Sequence, residues 1–459
     1  MITENCNKWF QAQEAEILGE LSEFLRFRSV SSESESRQDC LDCAAWLLRY
    51  LRRIGIKDTV LIETRGLPVL KASYRCPGAT ETILYYGHYD VYEAGDLAIW
   101  ASDPFKPEMR NGRIYARGAQ DNKGQTFYFL TALQYLIKTG QLGVNVEILL
   151  DGEEETTTSL GLRSLLPRLE QECRADLLMI CDTDSVSSDC ATIILGLRGI
   201  ISMTLEYRAA RGEVHSGFGG SVFNCANLLS KALADLFDQD GRVALPDYLG
   251  EVLSADAIEA ELVPKQVAMA VKYSEQKTGD VVSEAELLQG MVARGFKPSI
   301  DVSGIQVGTV DEAVRTIIPD LARVQITSRL VPNQNPVRCL EILKKHFESY
   351  QRPGVLLNIL NQTEGSAGIR FSAESPYVQC ASKILERVTG NQPLYDWEGS
   401  SIPFVSWAVP KIAPEALIVG FGLEQDAVHS ANESFELNQF KKGFAYCCEL
   451  LIAIAKGSK

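Results

Sequence analysis

The sequence predicts an α/β protein whose main sheet is interrupted by a smaller α+β segment. Three observations carry this. Between residues 83 and 182, apolar strand-like runs alternate with amphipathic helical patterns, the rhythm of a layered α/β fold. From about residue 198 the runs take on the in–out alternation of strands exposed on one face. From about residue 367 the first texture returns and holds to the end of the chain.

Taken in order, RQDCLDCAAWLLRYLRR reads as a helix and ILYYGHYDV (83–91) as a buried strand. NKGQTFYFLTALQYLIKTG (122–140) reads as a helix with a polar start and a glycine stop. VNVEILLDG is a strand running into a turn, followed by a helix near LRSLLPRLEQE, and LLMICD (177–182) is again a strand. The inserted segment opens with the strand IISMTLEYRAA, the glycine-rich HSGFGGS and the helix NCANLLSKALADLF. A long acidic helical stretch (254–291), the strand RVQITSRLVP and the helix NPVRCLEILKKHFESY complete it. The last section has a helix at SPYVQCASKILERVTG, a strand at EALIVGFG and a terminal helix from Leu437. The expected division is 1–198, 199–366 and 367–459, with no internal repeat. This rhythm gathers several strand ends at one edge, where open parallel sheets collect their ligands.

With 45 basic and 60 acidic residues among 459, the net charge of −15 argues against nucleic acid or an anionic membrane as the main partner. The opening MITENCNKWFQAQEAEIL lacks the pattern of a secretory signal, and no stretch reads as a membrane helix. The 12 cysteines are scattered, and the C-x-x-C of Cys40 and Cys43 lies inside a helical pattern with no second pair to complete a zinc site. Free thiols suit a reducing compartment, so a cytoplasmic protein is expected.

Only four histidines are present, and two fall beside acidic residues in the α/β sections. His88 stands in Y-G-H-Y-D-V, where the Asp90 carboxylate two residues on can accept the second ring N–H; alone, the pair also fits a hydrogen-bonded core histidine. Asp121, in A-R-G-A-Q-D-N-K-G, fits a helix N-cap as well as a ligand. Glu153, Glu154 and Glu155 follow Gly152 at the end of an apolar strand, a costly place for three carboxylates without a cation. Asp182 ends LLMICD, and His429 follows the strand EALIVGFG. Together two histidines and three carboxylates can surround two divalent ions that share one bridging carboxylate. Nitrogen and oxygen donors without thiolate suit Zn²⁺, with Mn²⁺ also compatible. Two ions roughly 3.5–4 Å apart would hold a shared hydroxide as a hydrolytic nucleophile, and a further glutamate would serve as general base.

The series G-H-Y-D-V, S-D-P-F…N-G-R-I-Y-A-R-G-A-Q-D-N-K-G, D-G-E-E-E, I-C-D and D-A-V-H-S-A-N-E resembles the co-catalytic metallopeptidase family of aminoacylase, glutamate carboxypeptidase, succinyl-diaminopimelate desuccinylase and the carnosinase-like dipeptidases. The order holds from about residue 20 to the C-terminus. The resemblance implies a zinc-peptidase-like catalytic domain, with a central mixed sheet flanked by helices, interrupted by a lid and dimerisation domain. It implies that His88 and Asp182 bind one metal, Glu155 and His429 the other, and that Asp121 bridges them. Glu154 would be the general base and Asp90 the residue that orients His88. The family's x-Gly-Ser after the glutamates is replaced here by Thr156, Thr157 and Thr158; Glu154 and Glu155 are assigned because they keep the usual distance from Gly152.

Within the insertion, E-V-H-S-G-F-G-G-S resembles the lid motif whose histidine reaches the partner protomer's site, which makes His215 a catalytic and substrate-binding candidate in a homodimer. S-R-L-V-P-N resembles the motif of the substrate-carboxylate arginine, here Arg329, although a strand-surface salt bridge fits it too. W-E-G-S-S-I-P resembles the loop that would set Glu398 and Ser401 near the substrate. His346, in LKKHFESY, reads as a surface residue. The length, the aspartate at position 182 and G-L-R-G after it resemble the carnosinase-like branch, which implies hydrolysis of dipeptides or short peptides. The alternative is an N-acyl-amino-acid amidohydrolase with the same two-metal centre.

Overall fold

A computed structural model describes residues 2–156, 159–255, 259–268, 283–309, 315–363 and 365–457. The main sheet has nine strands and is mixed. Its centre is four parallel strands in the order Asn145–Asp151, Thr82–His88, Leu177–Ile180, Glu415–Ile418. Antiparallel strands Asp58–Ile62 and Val69–Tyr74 extend one side. Thr192–Leu197, with its neighbours Ile369–Arg370 and Leu394–Glu398, extends the other.

These central strands are buried on both faces, which is why they read as continuous apolar runs rather than alternating ones. Ile83 and Tyr85 face a core shared with helices Ile2–Leu25, Arg37–Arg53, Lys123–Lys138, Pro376–Thr389 and Leu437–Ala455. Leu84 and Tyr86 face the opposite core, closed by helices Leu160–Glu172 and Pro403–Ala408. Helix Lys123–Lys138 is buried over almost its whole length, so no polar face remains for solvent. Cys40 and Cys43 are both buried in helix Arg37–Arg53, where desolvation pushes their thiols up to about 12 and about 11; they pack as small apolar residues. Among the described residues no disulfide joins any of the 12 cysteines.

At Arg198 the chain leaves the main sheet and enters a second one, four antiparallel strands in the order Ser299–Val307, Leu321–Leu330, Gly199–Ala209, Val355–Gln362. Alternate residues Ile201, Met203, Leu205 and Tyr207 pack on helices Cys225–Ala234 and Pro336–Ser349 in a separate core. Asn224 and Asn335 cap these helices through their side chains. The expected acidic helix over 254–291 is only partly covered: 259–268 is helical and Glu284–Phe296 forms a separate helix, whereas 256–258 and 269–282 lie outside the described residues. His346 is not a free surface residue. It is half-buried, and its Nε2 is 2.8 Å from the Ala232 carbonyl, joining the two helices. Among the described residues, no helix is long and apolar enough to cross a membrane.

Candidate metal centre

The four central strands are parallel, so their C-terminal ends share one edge, and five donor residues converge there. His88 is the last residue of its strand and 1% exposed. Its Nε2 lies 3.1 Å from Asp121 Oδ1 and 3.5 Å from Asp182 Oδ2. His429 Nε2 lies 3.1 Å from both Asp121 Oδ2 and Glu155 Oε2. Two triads result, His88–Asp121–Asp182 and Asp121–Glu155–His429, each with its donor atoms within 4.8 Å of one another. Asp121 belongs to both and offers one oxygen to each.

Local structure explains how each side chain is freed for this edge. The helix after Asp121 takes Asn122 as its N-cap, so Asp121 is not the capping residue. Asn122 instead ties three segments together. Its Oδ1 accepts from the His88 N–H (3.3 Å) and Thr126 Oγ1 (2.6 Å), while Nδ2 donates to the Cys181 carbonyl and Asp182 Oδ1, both 2.7 Å away. The Leu177–Ile180 strand ends two residues before Asp182, releasing that carboxylate from the ladder. His429 sits in the left-handed region at φ 60°, in a turn whose Ala427 and Asn432 are left-handed too. One face of its ring is stacked on Tyr92 at 4.2 Å and 12°.

The three consecutive glutamates have three different surroundings. Glu153 Oε2 accepts the Gly161 N–H at 2.7 Å in the first turn of helix Leu160–Glu172, away from the donor cluster. Glu155 is a member of the second triad. Glu154 has no side-chain hydrogen bond among the described residues, and its carboxyl feels His88, Asp182 and Glu155. Thr157 and Thr158, part of the departure from the expected pattern, lie outside the described residues.

Asp90 differs in detail from the sequence expectation. The His88 Nδ1–H donates to the Asp90 backbone carbonyl at 3.1 Å, and the carboxylate stands slightly farther off at 3.4 Å. The strand ends at His88, so the alternation that would align residues 88 and 90 does not extend that far. The fully buried Asp90 carboxylate accepts the N–H groups of Glu154 (3.2 Å) and Glu155 (3.0 Å) and the Ser31 hydroxyl (2.6 Å). It therefore holds the glutamate turn as well as standing behind His88.

Electrostatics mark the cluster as a place for cations. Burial pushes Glu154 well above the usual carboxylate range, and burial with Asp121 moves Glu155 up to about 7. Burial also raises Asp182. For Asp121 burial acts the same way but is outweighed by hydrogen bonds from His429 and His88, which hold the carboxyl below its ordinary value. Asp121 and Glu155 raise His429 to about 10. Carboxylates held this close repel one another, and a divalent ion between them would relieve that repulsion. The nitrogen and oxygen donor set and the shared carboxylate fit two such ions.

The lid candidates do not join this cluster within the chain. His215 is exposed in the short strand Val214–His215, and its Nδ1 accepts the Gly217 N–H at 3.0 Å. Arg329 Nη1 donates to Ser401 Oγ at 2.9 Å, and Ser401 Oγ donates to the Arg198 carbonyl at 2.5 Å. Glu398 Oε1 accepts the Gly399 N–H at 2.9 Å. Arg329, Ser401 and the Glu398 loop thus form a second group, half-buried, where the two sheets meet. Sequence reasoning did not single out Asn122, Ser31, Tyr92, Arg117 or Glu433. Three of them lie inside the motifs quoted above, but their roles depend on partners far away in the chain.

A fold with this edge of donors is that of a metal-dependent hydrolase, and the comparisons agree. The family model described as Peptidase family M20/M25/M40 matches residues 84–453, and the chain belongs to that family. It is 26% identical to the Cys-Gly metallodipeptidase dug1 of Schizosaccharomyces pombe over 96% of both chains. It is 25% identical to the human Beta-Ala-His dipeptidase, over 82% of this chain and 75% of that one. Among solved structures, the M20 family metallo-carboxypeptidase Sso-CP2 from Sulfolobus solfataricus superposes with a TM-score of 0.84 at 27% identity, covering 96% of this chain and 99% of the other.

Proposed function

We propose that this member of the peptidase family hydrolyses the peptide bond of dipeptides or short peptides at a centre of two divalent ions, Zn²⁺ before Mn²⁺. The observation that carries the two-ion reading is the pair of donor triads sharing Asp121. The choice of dipeptides is supported by the Cys-Gly and Beta-Ala-His dipeptidases among the relatives. They leave the N-acyl-amino-acid amidohydrolase reading without comparable support.

His88 and Asp182 would hold one ion, Glu155 and His429 the other, with Asp121 between them. Bound there, two divalent ions would supply Lewis acidity, polarising the scissile carbonyl and acidifying the attacking water. Glu154 takes that water's proton and passes it to the leaving amine; its raised proton affinity, with no side-chain hydrogen bond among the described residues, suits a group that must hold and release a proton. Asp90 keeps Glu154 and Glu155 in register through their backbone N–H groups. Arg329, with its planar fork, and Ser401 receive the substrate's terminal carboxylate, and Glu398 lies beside them.

The segment 199–366 serves as lid and dimerisation domain on a catalytic domain formed by 1–198 and 367–459. His215 projects from it without a partner in the donor cluster, and Phe218 beside it is 57% exposed, which supports a role across a homodimer interface, donating to the developing oxyanion of the other protomer. Cysteines that remain outside disulfides among the described residues support a cytoplasmic location. The test is a panel of free dipeptides, N-blocked dipeptides and N-acyl amino acids, each assayed with Zn²⁺ and with Mn²⁺. Cleavage of free dipeptides alone is the expected result. Preference for N-blocked dipeptides would make the protein a carboxypeptidase, and preference for N-acyl amino acids a deacylase.

A further inference from the structure

Behind the donor cluster lies a buried ion pair that the hydrolytic scheme does not use. Arg117 and Glu433 are 1% and 0% exposed, and Arg117 Nη1 donates to Glu433 Oε2 at 2.7 Å. Glu433 also accepts three backbone N–H groups from the turn that ends in Asp121: Gly118 (2.9 Å), Gln120 (3.0 Å) and Asp121 itself (3.1 Å). The other arm of Arg117 donates to the carbonyls of Glu93 (3.0 Å) and Ser430 (3.2 Å). Ser430 follows His429, and Glu93 follows Tyr92, whose ring stacks on His429. The pair stands at the end of a small ladder in which Ser434–Glu436 is antiparallel to Arg113–Tyr115, with the Ala116 N–H bonded to the Glu433 carbonyl at 3.1 Å.

From this geometry, and resting on the two-ion reading above, we infer that Arg117 and Glu433 are positioning residues that set Asp121 and His429 relative to each other and so govern loading of the ion held by Asp121, Glu155 and His429. Every bond of the pair runs to the Asp121 turn, the His429 turn or the Tyr92 segment. The other ion's ligands have a clamp of their own, because Asn122 fixes the backbone of His88 and the carboxylate of Asp182. Disturbing the buried pair therefore loosens two anchors of one triad and one of the other. A buried carboxylate that accepts four hydrogen bonds is also a rigid reference point, since each donor would be left unpaired if it moved.

The test counts zinc rather than turnover. Metal-free full-length protein is titrated with Zn²⁺, and the two dissociation constants are resolved by competition with a chromogenic chelator. Wild-type protein is expected to take two ions. Glu433→Gln keeps the shape and loses the charge; one of the two zinc sites is expected to lose about 10–100-fold in affinity while the other changes less. Arg117→Lys keeps the charge and loses the fork, carries the same expected order, and decides the matter should Glu433→Gln not fold. Glu206→Gln is the control. It removes the buried Glu206 charge that the more exposed Arg208 and Arg323 pair with in the second sheet, and should lower stability with both zinc affinities intact. Loss of stability in the Arg117 or Glu433 variants with unchanged zinc affinities, or equal weakening of both sites, overturns the inference. Wild-type protein that takes up a single ion would instead overturn the two-ion reading.

Discussion

Replacing Asp90 with asparagine isolates the link between the two ends of the site. The Asp90 carboxylate is fully buried: Oδ1 accepts the Glu154 N–H and stands 3.4 Å from His88 Nδ1, while Oδ2 accepts the Glu155 N–H and the Ser31 hydroxyl. In Asp90→Asn one of these oxygens becomes an NH₂. Whichever way the amide turns, that NH₂ meets a backbone N–H of the glutamate turn, donor against donor. The change removes one hydrogen bond to a charged acceptor, worth about 1.5–3 kcal/mol, and strands a shielded donor at a cost of about 1–3 kcal/mol. Allowing for relaxation, the metal-free protein should lose about 2–4 kcal/mol of stability, read as a lower denaturant midpoint. Because the freed turn carries Glu154 and Glu155, kcat should fall about 10–100-fold. Ser31→Ala removes one donor, leaves both backbone bonds in place and should have a smaller effect on both readouts. An Asp90→Asn protein with wild-type midpoint and wild-type kcat would refute the argument.

Four further outcomes are expected. Asp121→Ala should cost more bound metal than loss of any other single ligand, because Asp121 faces both triads; full two-metal occupancy in that variant, counted by elemental analysis, would remove the bridging assignment. Glu154→Ala should keep its metal while kcat falls by roughly 10²–10⁴, and Glu155→Ala should lose one ion; swapped phenotypes would mean that the glutamate roles are one residue out of register. The proton on His429, raised to about 10 by Asp121 and Glu155, must leave before an ion binds, so metal affinity should rise with pH through the neutral range and metal uptake should release protons, measured calorimetrically in buffers of different ionisation enthalpy. In the metal-free protein the same shift contributes stability that is full below a pH of about 6.5 and is lost as pH climbs through about 10. Finally, subunit exchange between inactive Glu154→Ala and His215→Ala proteins should partly restore activity if His215 serves the neighbouring site, and no recovery despite proven exchange would exclude that arrangement.

Much of the fold was legible because burial writes itself into periodicity. Strands covered on both faces, such as Thr82–His88 and Leu177–Ile180, read as apolar runs, and the strand Gly199–Ala209, with one face on a core, alternates. Helix Arg37–Arg53 matches its sequence pattern to the residue. The five donors were legible for a related reason: carboxylates and histidines at the ends of apolar runs are expensive without a purpose. The tertiary structure decided what those side chains have as neighbours. It sent Glu153 to a helix terminus and left the Glu154 side chain without a hydrogen bond among the described residues, a distinction that three identical letters cannot carry. It gave the His88 ring N–H to a backbone carbonyl and turned the Asp90 carboxylate toward the glutamate turn, because the strand stops two residues too soon for simple alternation. It also joined Arg117 to Glu433 across 316 positions of sequence. Periodicity records whether a side chain is buried; which distant residue it meets depends on how the sheet orders its strands, and that information is spread over the whole chain.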